Sequence, residues 1–200
     1  MSAKAREDTA GQGFVLVEIL VALSVVAVMS ALMAGFFGQL SSLSNVKEQV
    51  LAQAELAAAV SHLDRTLSAT RPAPLADNEE GTNFQFDGRG QEMRFAALTR
   101  QGFYSLALRD IHVYVDQGGA GVRLVQTHVP RRPESTDTLP PPVVVIVDDI
   151  DAVSFEYSDD GISYTTTWKI DGTLPRMVRM TIVRGVAGKQ ISASAIARVL

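Results

Sequence analysis

Apolar and charged positions are distributed very unevenly along the 200-residue chain. Between Gly13 and Val46 the only charged residue is Glu18, and most of the charge follows that stretch. As an α-helix, the uncharged run 19–37 would measure about 28 Å, close to the roughly 30 Å hydrocarbon core of a bilayer. The pattern predicts a transmembrane helix over 14–38, followed by a water-exposed body.

The length of this apolar run favours a retained span over a cleaved secretory signal. A secretory signal peptide has an apolar core of about 7–15 residues and a small-x-small cleavage site. The run here is longer, and its end, MAGFF over 33–37, offers no such site. Because Lys4 and Arg6 precede the span and the large body follows it, we expect a cytoplasmic N-terminus.

A helical pattern continues beyond the span. Residues 39–70 contain no proline, and apolar residues recur at helical spacing while charged residues occupy other positions. Pro72 and Pro74 end the pattern. We therefore predict that the span continues into an amphipathic stalk over 39–70, whose apolar stripe packs on the body. The predicted stripe consists of Val46, Val50, Ala54, Ala57, Val60 and Leu67.

After residue 83, apolar and polar positions alternate, as is typical of half-buried strands. A glycine-rich loop is predicted at 118–121, and Asp159-Asp160-Gly161 is a hairpin turn signal. The aliphatic run 143–147 is interpreted as a central strand. The alternating sets are Phe84/Phe86, Met93/Phe95, Ile111/Val113/Val115, Val122/Leu124 and Val153/Phe155/Tyr157.

These elements together predict an α+β fold. A proline-rich stretch, 130–142, is expected to be an exposed loop within the body. The chain shows no internal repeat and no second domain boundary. We expect one β-rich body over 71–200, an antiparallel β-sheet on which the long N-terminal helix packs.

Composition narrows the classes of function. The net charge of −4, with scattered lysines and arginines, argues against nucleic acid as the main partner. The absence of cysteine excludes disulfide scaffolds, cysteine-ligated zinc, iron–sulfur clusters and thiol catalysis. The histidines, His62, His112 and His128, form no i,i+4 pair, so no zinc site is predicted.

Two further groups were considered as chemical sites. Ser44 and Lys47 have the S-x-x-K spacing of penicillin-recognising serine enzymes, but no SDN or KTG element lies nearby. Strand alternation would place Asp149 and Asp151 on one face, with Asp148 on the other; such a cluster is more often an exposed strand end than a calcium site. The sequence predicts no catalytic residue, metal or cofactor.

Glu18 is the residue on which the functional interpretation depends. An acid at the edge of a lipid-facing helix is costly unless it is protonated or paired. In one interpretation, Glu18 lies at the membrane interface and reaches water. In the other, the chain is cut after Gly13 of the string GFVLVE, and the new amine of Phe14 pairs with Glu18 of a neighbouring subunit. Because the amine and the carboxylate are each costly in the membrane without an opposite charge, their pairing would drive assembly in register.

The string GFVLVEILVALSVVAVMSALM resembles the class III signal of type IV pilins and type II secretion pseudopilins. In that family a prepilin peptidase cuts after the glycine and N-methylates the new terminus. The resemblance implies that 1–13 is a cleaved cytoplasmic leader, that Phe14 is the methylated terminus and that Glu18 is the assembly glutamate. The leader AREDTAGQG departs from the family because it lacks the usual basic residues before Gly13.

The C-terminal third resembles the J-type minor pseudopilin of type II secretion. That family has a V-x-x-F-x-Y strand, then a tryptophan, then an LPR-x-V-R strand. The matching parts here are VDDIDAVSFEY over 147–157, Trp168 and GTLPRMVRMTI over 172–182. The resemblance covers the N-terminal helix and about 143–184, whereas 75–140 matches only in order and length.

This resemblance implies a place and a set of partners. The protein would be a single-pass inner-membrane protein of a Gram-negative bacterium, with its body in the periplasm. It would join the I- and K-type minor pseudopilins, with the H-type and major pseudopilins as further contacts, in a tip complex. That complex primes the pseudopilus for export of folded exoproteins.

Two other functions stay open at this point. A minor type IV pilin shares the N-terminal signal, although many pilins have a C-terminal disulfide loop that this chain lacks. A membrane-anchored periplasmic enzyme or binding module would need a polar pocket in the body. Within the span, Ala27, Ala31 and Gly35 form a small-residue face for close helix packing, or a chance feature of an alanine-rich helix.

Overall fold

The computed structural model describes residues 8–76, 82–101, 105–118, 121–131 and 141–199, with side chains except at 8–14, 37–45, 101 and 105. The chain divides into two compact units, Met1–Lys47 and Glu48–Leu200. The described elements are α1 (Asp8–Ser68), β1 (Phe86–Arg89), β2 (Glu92–Gln101), β3 (Ser105–Asp116), β4 (Arg123–Pro130), β5 (Val143–Val147), β6 (Ala152–Ser158), β7 (Met177–Val186) and β8 (Lys189–Arg198).

In the first unit, α1 contains a segment that is long and apolar enough to cross a membrane. This segment, Val15–Phe36, has 22 residues, and none of it is buried within the chain. At 1.5 Å per residue it extends for about 33 Å, slightly more than a hydrocarbon core. Its exposed valines, leucines and methionines therefore suit lipid or another protein rather than water.

The second unit contains two antiparallel sheets. One has five strands in the order β1-β2-β3-β4-β5, and the other has three in the order β6-β7-β8. The sheets meet beside β1: the Phe155 N–H donates to the carbonyl of Gly90 at 2.8 Å, and Gly88 exchanges two backbone hydrogen bonds with Trp168. The predicted α+β class is confirmed, with the β body divided into two sheets.

The predicted alternation within the strands is confirmed at most positions. Nine members of these sets are buried, whereas Val115 and Val122 are partly buried and Phe84 lies outside the strands in an isolated bridge with Asp171. Phe86 stacks on Phe95 with ring centroids 5.6 Å apart and meets Tyr157 edge-on at 5.5 Å. The buried members are Phe86, Met93, Phe95, Ile111, Val113, Leu124, Val153, Phe155 and Tyr157.

The predicted stripe on the stalk is wrong over its N-terminal part. Val46 and Val50 are 56% and 62% exposed, and Ala54 and Ala57 are exposed as well. Both the predicted and the observed stripes have helical spacing, so periodicity alone could not decide which one meets the sheets. Ala52, Leu56, Ala59, Val60, Leu63 and Leu67 form the buried stripe.

The interpretation of 143–147 as a central strand is also wrong. β5 lies at the end of the five-stranded sheet, and among the described strands it pairs only with β4. Val143, Val144 and Val145 are 54%, 48% and 46% exposed. An uninterrupted aliphatic run does not distinguish a covered strand from an apolar edge, because both lack alternation.

Candidate functional site

The residues predicted to direct processing and assembly lie in the first unit. Gly13 and Phe14 belong to α1, but their side chains lie outside the described residues. Glu18 lies near the N-terminal end of the apolar segment and is exposed. None of the residues that the structure describes buries the Glu18 carboxylate.

The small-residue face of the span is open. Ala27 and Ala31 are exposed, and a Cβ added to Gly35 would meet no atom within 4 Å. Residues four apart in a helix lie on nearly the same side, so a second helix could approach closely here. No residue with a described side chain covers this face.

The predicted turn after β6 is confirmed and is held by one carboxylate. The Oδ1 atom of Asp160 accepts hydrogen bonds at 2.8 Å from the N–H groups of Ile162 and Ser163, and at 2.9 Å from the Ser158 hydroxyl. The backbone donors, with help from Ser158, lower the pKa of Asp160 to about 2. Beyond this turn, Thr165 returns to pair with Tyr157.

The aspartates at 148–151 do not form a strand. They lie in the connection between β5 and β6, where Asp149 adopts a positive φ of 51°. The carbonyls of Asp148 and Asp149 accept hydrogen bonds of 2.7 Å and 2.8 Å from the Arg184 guanidinium, which also forms a 2.6 Å ion pair with Glu55. The loop is therefore bound to an arginine that lies 35 residues beyond Asp149 in the chain.

The other sequence candidates occupy separate places. His112 pairs with Glu92 at 3.0 Å and stacks on Tyr114. The Ser44 side chain lies outside the described residues, and Lys47 is exposed. Among the residues that the structure describes, no group of three or more histidines, aspartates or glutamates is placed to hold a metal ion.

Two histidines that the sequence did not link come together through a glutamine. His62 Nε2 on α1 lies 2.9 Å from Gln126 Oε1 on β4, and Gln126 Nε2 lies 2.7 Å from His128 Nε2. Burial lowers the pKa of His128, and the positive charges of Arg109 and His62 lower it further. A separation of 64 residues between His62 and Gln126 hides this group from any search for local motifs.

Comparison with known proteins gives one informative match. Type II secretion system protein J of Xanthomonas campestris pv. campestris is 29% identical over 188 residues, which are 88% of this chain and 88% of that protein. No family model matches the chain. A match of this extent cannot be confined to the 61 residues of α1, whose apolar composition many membrane proteins share, so it includes the β body. The resemblance of this chain to the J-type pseudopilin of type II secretion is therefore confirmed for both the helix and the body.

Proposed function

We propose that this chain is a non-enzymatic minor pseudopilin of type II secretion, the J-type subunit of a tip complex with I- and K-type pseudopilins. The complex would prime the periplasmic pseudopilus that exports folded proteins. The observation that supports this most is the match to a type II secretion system protein J over 88% of both chains. The lone Glu18 after Gly13-Phe14 at the start of the apolar segment gives independent support.

The first step is processing of the N-terminus. A prepilin peptidase on the cytoplasmic side cuts between Gly13 and Phe14 and methylates the Phe14 amine. The backbone is helical from Asp8 onward, so this bond lies within α1. Gly11 and Gly13 each lower the helix propensity by about 0.8–1 kcal/mol relative to alanine, so local unwinding for cleavage costs little.

The second step is assembly within the membrane. The Phe14 amine of one subunit pairs with Glu18 of its neighbour, because neither charge has another partner in an apolar environment. The face formed by Ala27, Ala31 and Gly35 then allows close approach of helices. With Lys4 and Arg6 on the cytoplasmic side, the body lies in the periplasm.

The third step is lateral contact through the stalk. One side of its helix is buried against the sheets, whereas Val46, Val50 and Leu51 are each more than half exposed. Burial of such side chains against a neighbouring stalk would add about 25 cal/mol for each Å² of apolar surface removed from water. The tip role needs no catalytic site, and the body acts by presenting surfaces to partners.

Processing is tested by co-expression of the full chain with a prepilin peptidase and measurement of the intact mass. We expect loss of residues 1–13 and addition of one methyl group. Gly13→Leu should abolish cleavage, whereas the matched change Gly11→Leu should leave it intact. An intact mass that retains the leader in the unaltered chain would contradict this step.

The role of Glu18 is tested by incorporation into the pseudopilus. We expect Glu18→Ala to reduce incorporation at least tenfold, because the Phe14 amine loses its counter-ion. Ser24→Ala is the control: it removes another polar group from the same span, one whose hydroxyl donates only to the Val21 carbonyl at 2.7 Å. Equal incorporation of both variants would refute the assignment.

The choice of secretion machine is tested by an in-frame deletion, assayed for exported protein in the medium and for surface pili or twitching. Loss of secretion with pili retained is the expected outcome. Loss of pili with secretion retained would instead identify a minor type IV pilin.

A further inference from the structure

A buried polar group connects the stalk part of α1 to β4 of the five-stranded sheet. Gln126 on β4 is only 1% exposed, and its amide lies between the imidazoles of His62 and His128 at 2.9 Å and 2.7 Å. Leu63 and Leu67, which follow His62 along the helix, are fully buried. The His62–Gln126–His128 group is thus a hydrogen-bonded chain within an otherwise apolar contact.

The chemistry of the amide dictates the protonation of the two rings. A glutamine amide offers only donors on its nitrogen and only acceptor lone pairs on its oxygen. The ring that faces the oxygen must donate, and the ring that faces the nitrogen must accept with an unprotonated Nε2. In this structure the accepting ring is His128, which is therefore neutral and protonated on Nδ1. His62 donates from Nε2.

The surroundings of His128 reinforce this neutral state. Arg109 on the neighbouring strand β3 and His62 on α1 are the groups whose positive charge acts on the His128 ring, and burial opposes its charging as well. If both rings were protonated, one Nε2–H would point at the amide hydrogens of Gln126 whichever way the amide turned, and two donors would face each other at 2.7 Å or 2.9 Å. The amide is buried, so water cannot easily replace the lost acceptor.

We propose that the His62–Gln126–His128 chain is an acid-weakened latch, which holds the stalk part of α1 on the five-stranded sheet more strongly at neutral pH than in mildly acidic solution. This inference goes beyond the proposed function and does not depend on it. It concerns the body of the protein alone, whichever assembly that body joins.

The direction of the pH effect follows from linkage. The pKa of His128 lies below 6.5 in the folded protein and near 6.5 in the unfolded chain. Well above pH 6.5 the ring is neutral in both states, and the latch contributes fully. As the pH falls below 6.5 the unfolded chain binds the proton first, so stability declines until the pH passes the lower pKa of the folded protein. One extra proton lowers the folding equilibrium constant by up to about tenfold per pH unit.

The test uses the full chain in detergent micelles, with hydrogen–deuterium exchange at pH 7.5 and pH 5.5 corrected for the intrinsic exchange rate. We expect peptides from 56–68 of α1 and from β4 to lose up to about tenfold in protection at the lower pH. His128→Gln should remove most of this loss, because the glutamine carbonyl accepts from Gln126 and does not titrate in this range. The chain has only three histidines, so His112→Gln is a complete control, and it should retain the loss.

The same pH dependence in His128→Gln as in the unaltered chain would overturn the proposal. If His128→Gln fails to fold, nitrogen NMR of the imidazoles in the unaltered chain decides instead. A neutral His128 with its proton on Nδ1 at pH 7.5 supports the latch, and a proton on Nε2 at that pH overturns it.

Discussion

At the scale of single residues, position 88 on β1 requires glycine, because a side chain from the other sheet fills the space beside it. A Cβ at this position would lie 2.4 Å from Cζ of Tyr157, well inside van der Waals contact. Tyr157 is fully buried and does not move freely, because its hydroxyl donates to the carbonyls of Arg89 and Glu92 at 2.9 Å and 3.2 Å. Burial also raises the pKa of this hydroxyl above its usual value.

Gly88→Ala should therefore destabilise the body by about 1–3 kcal/mol, the usual cost of overpacking a core. Gly90→Ala is the control in the adjacent turn, since a Cβ there would meet nothing within 4 Å. Thermal unfolding followed by circular dichroism measures both, and equal melting temperatures for the two variants would contradict the argument.

The sequence predicted the burial of Tyr157 but not the need for Gly88. Alternation along a strand shows which side chains face inward, and it placed Phe155 and Tyr157 correctly. The constraint on Gly88 comes from a residue far along the chain, in a sheet whose position no local pattern reveals. The same reason hid the contact between His62 and Gln126.

At the scale of elements, Arg184 joins three parts of the body. It extends from β7, its side chain is only 10% exposed, and its guanidinium binds Glu55 on α1 and the two carbonyls of Asp148 and Asp149. Hydrogen bonds to a charged group contribute about 1.5–3 kcal/mol each when both partners are in place. One side chain therefore links α1, β7 and the connection from β5 to β6.

Arg184→Ala should lower the free energy of unfolding by about 2–4 kcal/mol, because it removes a nearly buried guanidinium together with its ion pair to Glu55 and its hydrogen bonds to two carbonyls. Arg176→Ala serves as the control, since Arg176 and Asp159 form an exposed pair at 3.8 Å that contributes about 0–1 kcal/mol. Denaturant titration of the full chain gives both values. Similar losses would show that Arg184 acts only as a surface residue.

The sequence predicted the type of each element better than it predicted which elements are neighbours in the fold. One long helix and the inward faces of the strands followed from periodicity, since burial imposes that periodicity directly. The buried side of the stalk and the edge position of β5 did not, because each depends on which elements become neighbours. In β7 the alternating burial of Val178, Met180 and Ile182 continues to Arg184, but only the fold supplies Glu55 as its partner.

At the scale of the whole molecule, the predicted assembly residues and the packed core lie in different units. The predicted processing and assembly residues lie in Met1–Lys47, and the packed core lies in Glu48–Leu200. Glu18, Ala27, Ala31 and Gly35 are exposed, so their identity is not required by the core of the body. Spacing singled out Ala27, Ala31 and Gly35, and isolation in an apolar run singled out Glu18, whereas the assembly role predicted for Glu18 came from resemblance to a known family.

It follows that Glu18→Ala should leave the unfolding of the body unchanged within about 0.5 kcal/mol, the usual range for exposed substitutions. Circular dichroism of the full chain in micelles measures this, with Gly88→Ala as a variant that does lower the melting temperature. A large loss in Glu18→Ala would mean that the glutamate serves folding as well as assembly.

The valines of β5 also have a consequence for the behaviour of many copies in solution. An exposed strand with apolar side chains and no charge is a template on which a second strand can add, and repeated addition produces aggregates. Chains produced without their partners should therefore aggregate with time through this edge. Val144→Lys should slow the rise in light scattering, whereas Ile162→Lys, at an apolar position that is 84% exposed in a turn, should not. The same edge would then limit how long an unassembled copy of this protein persists in its native form.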